Sequence, residues 1–351
     1  MKKYSKLRDL KRLSIEKLLP LNFPFSIYIE TNNRCNFRCR YCPMSRVDYA
    51  KISGGFKTMG LFEFEKICQD IKAGGKLKVL RFYFMGEPLL NPRLPEMIKM
   101  ACRMKLADRT ELTSNGTLLS AAKSKEIISS GLDYLRISIS SVDQRRHKHI
   151  TQTNVRVDKI YNNIKRFRQI RDKTKSKKPF LYVKMLDSLN DAENSRFLQM
   201  YRKIADEAAI EKLMNWDNYN DYNFLEAAYG RKKIPDSKKL YPHHKSVCPF
   251  PFYNLMISVN GDVTACCVDW NKATRVGNVF KEPLKSIWNG DKMRDLRCLH
   301  ILRKRDLNPS CRNCQFLFTV PDNLDHMPES QIKAIVGIDK VKLNKRARKT
   351  K

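Results

Sequence analysis

Between residues 23 and 213 the chain alternates two patterns. Short runs rich in β-branched and aromatic residues occupy 25–30, 79–85, 109–113, 134–140, 180–186 and 207–213. Longer stretches at 61–72, 94–105, 121–129, 157–171 and 193–204 carry apolar residues at three- and four-residue spacing. The short runs have the composition of strands and the long ones the period of amphipathic helices. Alternating strands and helices build βα units with right-handed crossovers, so the expected fold class is α/β, a partial (β/α)6 barrel of parallel strands. Further on, 253–259 and 263–267 flank Asn260-Gly261, a dipeptide that supplies the positive φ angles of a tight hairpin, and 284–298 reads as a helix. A small α+β domain is therefore expected after the barrel. Residues 214–247 lack a period and are rich in Asn, Asp, Tyr and Lys, the composition of a linker or substrate loop. The expected boundaries are a basic extension (1–22), the barrel (23–213), the linker (214–247), the small domain (248–320) and a basic tail (321–351).

Length agrees with two modules, because a single core usually stops growing near roughly 250–300 residues and this chain has 351. No apolar run approaches the roughly 18 residues of a membrane span. The first 19 residues hold seven basic and two acidic side chains and no apolar stretch ahead of a cleavage site, so a cytoplasmic protein is expected. The formal net charge is +33, of which residues 1–19 and 333–351 supply +12. Such a field draws in anionic substrates, although solvated surface lysines account for it equally well.

The eleven cysteines change the picture most. Three crowd into 35–42 and six into 248–314, with Cys68 and Cys102 alone in expected helices. That clustering points to metal and not to a disulfide framework. Cys35, Cys39 and Cys42 form C-x3-C-x2-C on the loop after the first strand. A cubane iron-sulfur cluster takes four thiolates, so three leave one iron open to a substrate or cofactor. Structural zinc is the alternative, but it wants four ligands and no nearby Cys or His supplies the fourth. The loops after the other strands, where barrel chemistry sits, carry Met85-Gly86-Glu87-Pro88, Thr113-Ser114-Asn115-Gly116 and Ser138-Ile139-Ser140-Ser141.

This spacing, with aromatic Tyr41 just before the third cysteine, resembles the radical S-adenosylmethionine (SAM) superfamily. The resemblance implies that Cys35, Cys39 and Cys42 hold a SAM-binding [4Fe-4S] cluster. It also implies that Gly86 and Glu87 meet the SAM amino group, that Ser138 and Ser140 contact its ribose or carboxylate, that Asn115 borders the pocket and that Tyr41 lies by the adenine. Each has a plainer reading as a turn or an alternating strand face. The implied activity is reductive cleavage of SAM to a 5′-deoxyadenosyl radical that takes hydrogen from a substrate, with a flavodoxin- or ferredoxin-type electron donor as partner.

Cys248, the turn glycine Gly261 with four residues between it and Cys266, and Cys311-x2-Cys314 resemble the auxiliary-cluster region called SPASM or its shortened twitch form. Gly277-Asn278-Val279 and the helix from Leu284 to Trp288 fit the same likeness. The full pattern adds cysteines after the C-x2-C pair, and none follows Cys314, so one auxiliary [4Fe-4S] cluster is implied. Cys267 and Cys298 remain as substitute ligands, hydrogen-atom donors or buried thiols. A zinc ribbon is the alternative for the whole constellation.

Three functions are open on the sequence. The first is oxidation of a sugar- or aminocyclitol-type small molecule, with the auxiliary cluster as electron acceptor, or a variant in which a thiol such as Cys267 or Cys298 returns hydrogen and epimerises the carbon. The second is modification of a ribosomal peptide, made less attractive by the short stretch before the first strand. The third is a basic nucleic-acid-binding zinc protein. The favoured partners are therefore an anionic or nucleotide-linked sugar or a peptide, with nucleic acid disfavoured. Lys184, Glu211 and Asp217 are candidate general bases, and His147, His149, His243 and His244 read as solvated. Anaerobically purified protein is expected to be brown and to hold about eight irons by iron and sulfide assay; about four would leave a single cluster, and zinc would favour the third function.

Overall fold

The six runs become six parallel strands in a computed structural model that describes residues 14–212, 226, 245–312 and 314–336. They are β1 (Ser26–Ile29), β2 (Leu77–Phe82), β3 (Ala107–Ser114), β4 (Tyr134–Ile139), β5 (Phe180–Leu186) and β6 (Glu207–Glu211). Each bonds to the next in parallel, so the barrel wall follows chain order. β4 shows why it closes one face: Leu135, Ile137 and Ile139 lie in the main apolar core, while Arg136 and Ser138, one residue out of phase, face the other side and line the concave lumen.

Helices α1 (Tyr49–Ser53), α2 (Leu61–Gly74), α3 (Leu94–Arg103), α4 (Ala121–Ser129), α5 (Gln144–Thr151), α6 (Val157–Lys173) and α7 (Asp191–Tyr201) connect these strands. Phe64, Ile67 and Ile71 of α2 and Ile160, Ile164 and Phe167 of α6 recur at three- and four-residue intervals and are all buried in the same core. Side-chain caps set several starts. Ser120 accepts from the Lys123 amide, Asp143 from Arg146, and Asn190 from Ala192 and Glu193. The Asn190 cap starts α7 at Asp191, two residues before the expected 193. β2 stops at Phe82 instead of 85 because the chain must turn at Gly86 (φ 83°), where an added Cβ would sit 2.4 Å from the Asn32 carbonyl oxygen.

The C-terminal part departs from expectation in its connections. β7 (Asn254–Ile257) pairs in parallel with β1, and β8 (Asp262–Thr264) and β9 (Arg275–Asn278) follow antiparallel, so the hairpin extends the barrel wall into one nine-stranded sheet. The helix expected over 284–298 is two, α8 (Leu284–Asn289) and α9 (Asp291–Ile301), broken at Gly290, whose extended backbone (ψ 167°) cannot continue the first helix and caps the second. α10 (Pro309–Arg312) and α11 (Glu329–Val336) complete the order. The first and last described segments meet here: Ile15 and Leu19 share a small apolar core with Ile332 and Val336, and Gln331 donates to the Glu16 carbonyl at 2.7 Å. Among the described residues no helix is long and apolar enough to cross a membrane.

Gly261 holds the β7–β8 turn at φ 84°, with its amide on the Ser258 carbonyl and its carbonyl receiving the Val279 amide, both at 2.8 Å. Gly261→Ala is expected to lower the unfolding free energy by about 1–3 kcal/mol, measured by denaturant titration of the holoprotein, because a non-glycine residue is strained there.

Candidate active site

The loop after β1 carries the first cysteine set. Asn32 shapes it by donating to the carbonyls of Arg34 (2.8 Å) and Glu87 (3.0 Å), and the Glu87 amide returns a bond to Arg34 (2.7 Å). The far side of the loop is tied to α5, where the Arg38 and Arg40 amides donate to Thr151 and Ile150. Cys35, Cys39 and Cys42 are thereby gathered within electrostatic reach of one another. Burial pushes the Cys42 thiol up to about 11. Burial, reinforced by the Glu87 carboxylate, pushes Cys35 up to about 12. Burial also raises Cys39, against hydrogen bonds from Tyr41 and Ser140. Thiols held protonated in this way release their protons when a cationic centre binds.

The other expected contact residues converge on this loop. Gly86 donates its amide to the Met44 sulfur at 3.1 Å, and Tyr41 and Ser140 share a hydrogen bond of 3.1 Å. Glu87 is buried, and its carboxylate is committed to protein groups: it accepts from the Leu89 amide (3.1 Å), Ser114 Oγ (2.8 Å) and the Asn115 amide (2.7 Å). Burial pushes it up to about 7 against those three donors. Its side chain thus clamps the β2 and β3 loops together. Asn115 donates onward to Asn36 Oδ1 (2.8 Å), and Asn36 to Thr117 Oγ1 (2.7 Å). Asn32, Asn36 and Thr117 were not singled out in the sequence; the Asn32-Asn33 pair, separated from Cys35 by Arg34 alone, was the available signal. His147, expected to be solvated, is buried 5.6 Å edge-on from Phe37, and burial pulls it down to about 4. His149 is exposed, as expected.

The second set assembles around β7 and β8. Cys248, Cys266, Cys311 and Cys314 line one cavity together with His300 and Arg305. A stacked pair, Phe250 on Phe316 with centroids 4.8 Å apart, packs beside it. Burial pushes Cys248 up to about 12 and Cys314 up to about 11. Of the alternative ligands, Cys298 packs toward the Ile15–Ile332 core. Cys267 hydrogen-bonds its neighbour Cys266 and also the Tyr28 hydroxyl of β1.

Both sets are groups of cysteine thiols, the donors that iron-sulfur clusters take. Residues 29–177 match the model of the Radical SAM superfamily. Residues 248–315 match the SPASM model, an iron-sulfur cluster-binding domain. This is a radical SAM protein with a SPASM domain. Its cofactors are accordingly a SAM-binding [4Fe-4S] cluster, SAM itself and an auxiliary iron-sulfur cluster.

Similar proteins include a probable GTP 3′,8-cyclase of Methanocella arvoryzae, 29% identical over 199 residues, which are 56% of this chain and 60% of that one. The chain thus spans less than two thirds of that relative. Among solved structures, BtrN in complex with AdoMet and 2-DOIA aligns with TM-score 0.53 at 17% identity over 84% of this chain and 93% of that one. Streptococcus suis SuiB bound to precursor peptide SuiA aligns with TM-score 0.59 at 14% identity over 86% and 74%. At these identities the likeness is one of fold.

In this radical SAM chain the lumen beneath the first cysteine set is charged and hydrogen-bonded. Arg81 pairs with Glu111 at 2.9 Å, Arg136 with Glu211 at 3.2 Å and Lys184 with Glu211 at 2.7 Å. Arg136 also donates to Tyr83 at 3.2 Å, and Tyr83 packs edge-on to Tyr28 at 5.3 Å. The candidate bases Lys184 and Glu211 are therefore one ion pair, while Asp217, His243 and His244 lie outside the described residues. Glu87→Gln places an amide NH2 against the donors that now meet a carboxylate. The expected result is SAM affinity weakened about tenfold with iron content unchanged, measured by equilibrium dialysis, since an unpaired buried donor costs about 1–3 kcal/mol.

Proposed function

We propose that this chain abstracts hydrogen from a carbinol-type carbon of a polar small molecule and passes the remaining electron toward the auxiliary centre, a dehydrogenation. When bound, SAM and the cluster at Cys35, Cys39 and Cys42 supply the carbon radical chemistry. The observation that carries the reading is the complete auxiliary donor set. Four thiols face one cavity, so no position is reserved there for substrate, and electron acceptance is the role left to that centre. The lumen supports a small, polar substrate. Arg81, Arg136 and Lys184 face two carboxylates within it, which suits hydroxyl and anionic groups better than apolar peptide side chains. The Lys184–Glu211 pair would hold the proton lost from the substrate oxygen. BtrN, whose structure contains AdoMet and 2-DOIA, supports the same class, and the cyclase likeness supports an anionic, nucleotide-bearing member of it. An external one-electron donor of the flavodoxin or ferredoxin type would start each turnover, and the cytoplasm is its expected compartment.

A second reading, epimerisation, is favoured by one contact. Cys267 is the thiol beside the lumen, bonded to Tyr28, and Cys298 is not. A hydrogen atom from Cys267 to the substrate carbon would leave a redox-neutral product and a thiyl radical, which the external one-electron donor and a proton would return to the thiol. Anaerobic incubation with SAM, dithionite and fractionated small-molecule extracts is expected to yield 5′-deoxyadenosine in proportion to an oxidised product. If instead the product keeps the substrate mass, gains solvent deuterium in heavy water and is lost in Cys267→Ser, the epimerase reading replaces the dehydrogenase.

A further inference from the structure

We propose that His300 tunes the reduction potential of the auxiliary centre through a hydrogen bond to the Cys311 sulfur, with Arg305 fixing a positive charge beside the same ligands. His300 lies in the last turn of α9, 1% exposed. Its Nε2 is 3.7 Å from Cys311 Sγ, and its Nδ1 has no hydrogen-bond partner among the described residues. Among the described residues the single hydrogen-bond contact of the ring's nitrogens is thus a cysteine sulfur. A cluster-ligating thiolate is an acceptor only, so the nitrogen facing it must carry the proton. Leaving Nδ1 buried and unpaired costs free energy that an apolar residue at this position would avoid, which argues for a role beyond filling space.

Arg305 is the second element. Its Nη1 donates to the carbonyl oxygens of Cys311 (2.5 Å) and Cys314 (3.1 Å), which holds the guanidinium at the C-x2-C pair. The nearby buried carboxylate that could cancel this charge, Asp269, is taken up by Ser310 Oγ, by Thr274 through its amide and hydroxyl (both 2.6 Å), and by the Ala273 amide (3.1 Å). Hydrogen bonds to cluster sulfurs and nearby positive charge favour the more negative, reduced state. His300 and Arg305 therefore make this centre the better electron acceptor. His300 is a positioning residue in this sense and touches no substrate.

The inference rests on the auxiliary cluster and is independent of substrate identity. It is tested on the reconstituted full-length protein by redox titration followed by electron paramagnetic resonance, with SAM added to displace the signal of the other cluster. In His300→Phe the iron content should stay at about eight. At the wild-type midpoint its reduced-to-oxidised ratio should fall about tenfold, equal to 59 mV for one electron. His300→Gln, which keeps an N–H donor, should recover part of the shift. An unchanged midpoint in His300→Phe at full iron content overturns the inference alone. Loss of about four irons in both variants makes His300 a structural prop and also overturns it. Wild type with about four irons would overturn it together with the auxiliary-cluster reading beneath it.

Discussion

Strand β1 is bonded along both edges, which ties the elements that carry the two cysteine sets into one sheet. On one side Ser26, Ile27 and Tyr28 pair with Val79, Leu80 and Arg81; on the other, Ser26 to Ile29 pair with Asn254 to Ile257. The first pairing brings the Gly86-Glu87 turn against the loop that carries Cys35, Cys39 and Cys42. The second fixes the hairpin whose far end carries Cys266. Because the register is that of a parallel ladder, a one-residue slip would turn every side chain to the opposite face. Tyr28 would then leave the lumen, and with it the contact to Cys267.

Around this strand the polar groups are spent on holding loops rather than left to face a ligand. Glu87 gives both carboxylate oxygens to β3, and Asn32, Asn36, Asn115 and Thr117 complete a continuous set of bonds under the thiols. Burial then does the chemical selection. Thiols that water cannot reach keep their protons unless a cationic centre replaces them. Cys35, Cys39, Cys42, Cys248, Cys311 and Cys314, all raised chiefly by burial, thus mark where such a centre belongs. The same loss of water strengthens the ion pairs of the lumen, where a substrate must exchange one set of hydrogen bonds for another.

Much of this was legible in the chain. Period-two and period-3.6 patterns placed the six barrel strands and the helices among them, with errors at ends that caps decide, as at Asn190. The spacing of the cysteines identified both sets, because ligand spacing on a loop is a local property. The same holds for Asn260-Gly261, whose backbone conformation follows from the dipeptide itself. The break at Gly290 was equally local and was passed over, since one glycine inside a helical pattern is usually tolerated.

What the sequence determined by itself is the set of local elements and two groups of cysteines that fall in a radical SAM region and a SPASM region. The tertiary structure decided which elements meet. It joined the hairpin to β1 as part of one sheet, lined the auxiliary cavity with Cys266, buried His147, and placed His300 on a sulfur eleven residues away. Each of these depends on side chains brought together across loops or sheet edges. No periodicity encodes such a meeting, because its free energy comes from burial shared between distant segments and not from the conformation of either alone.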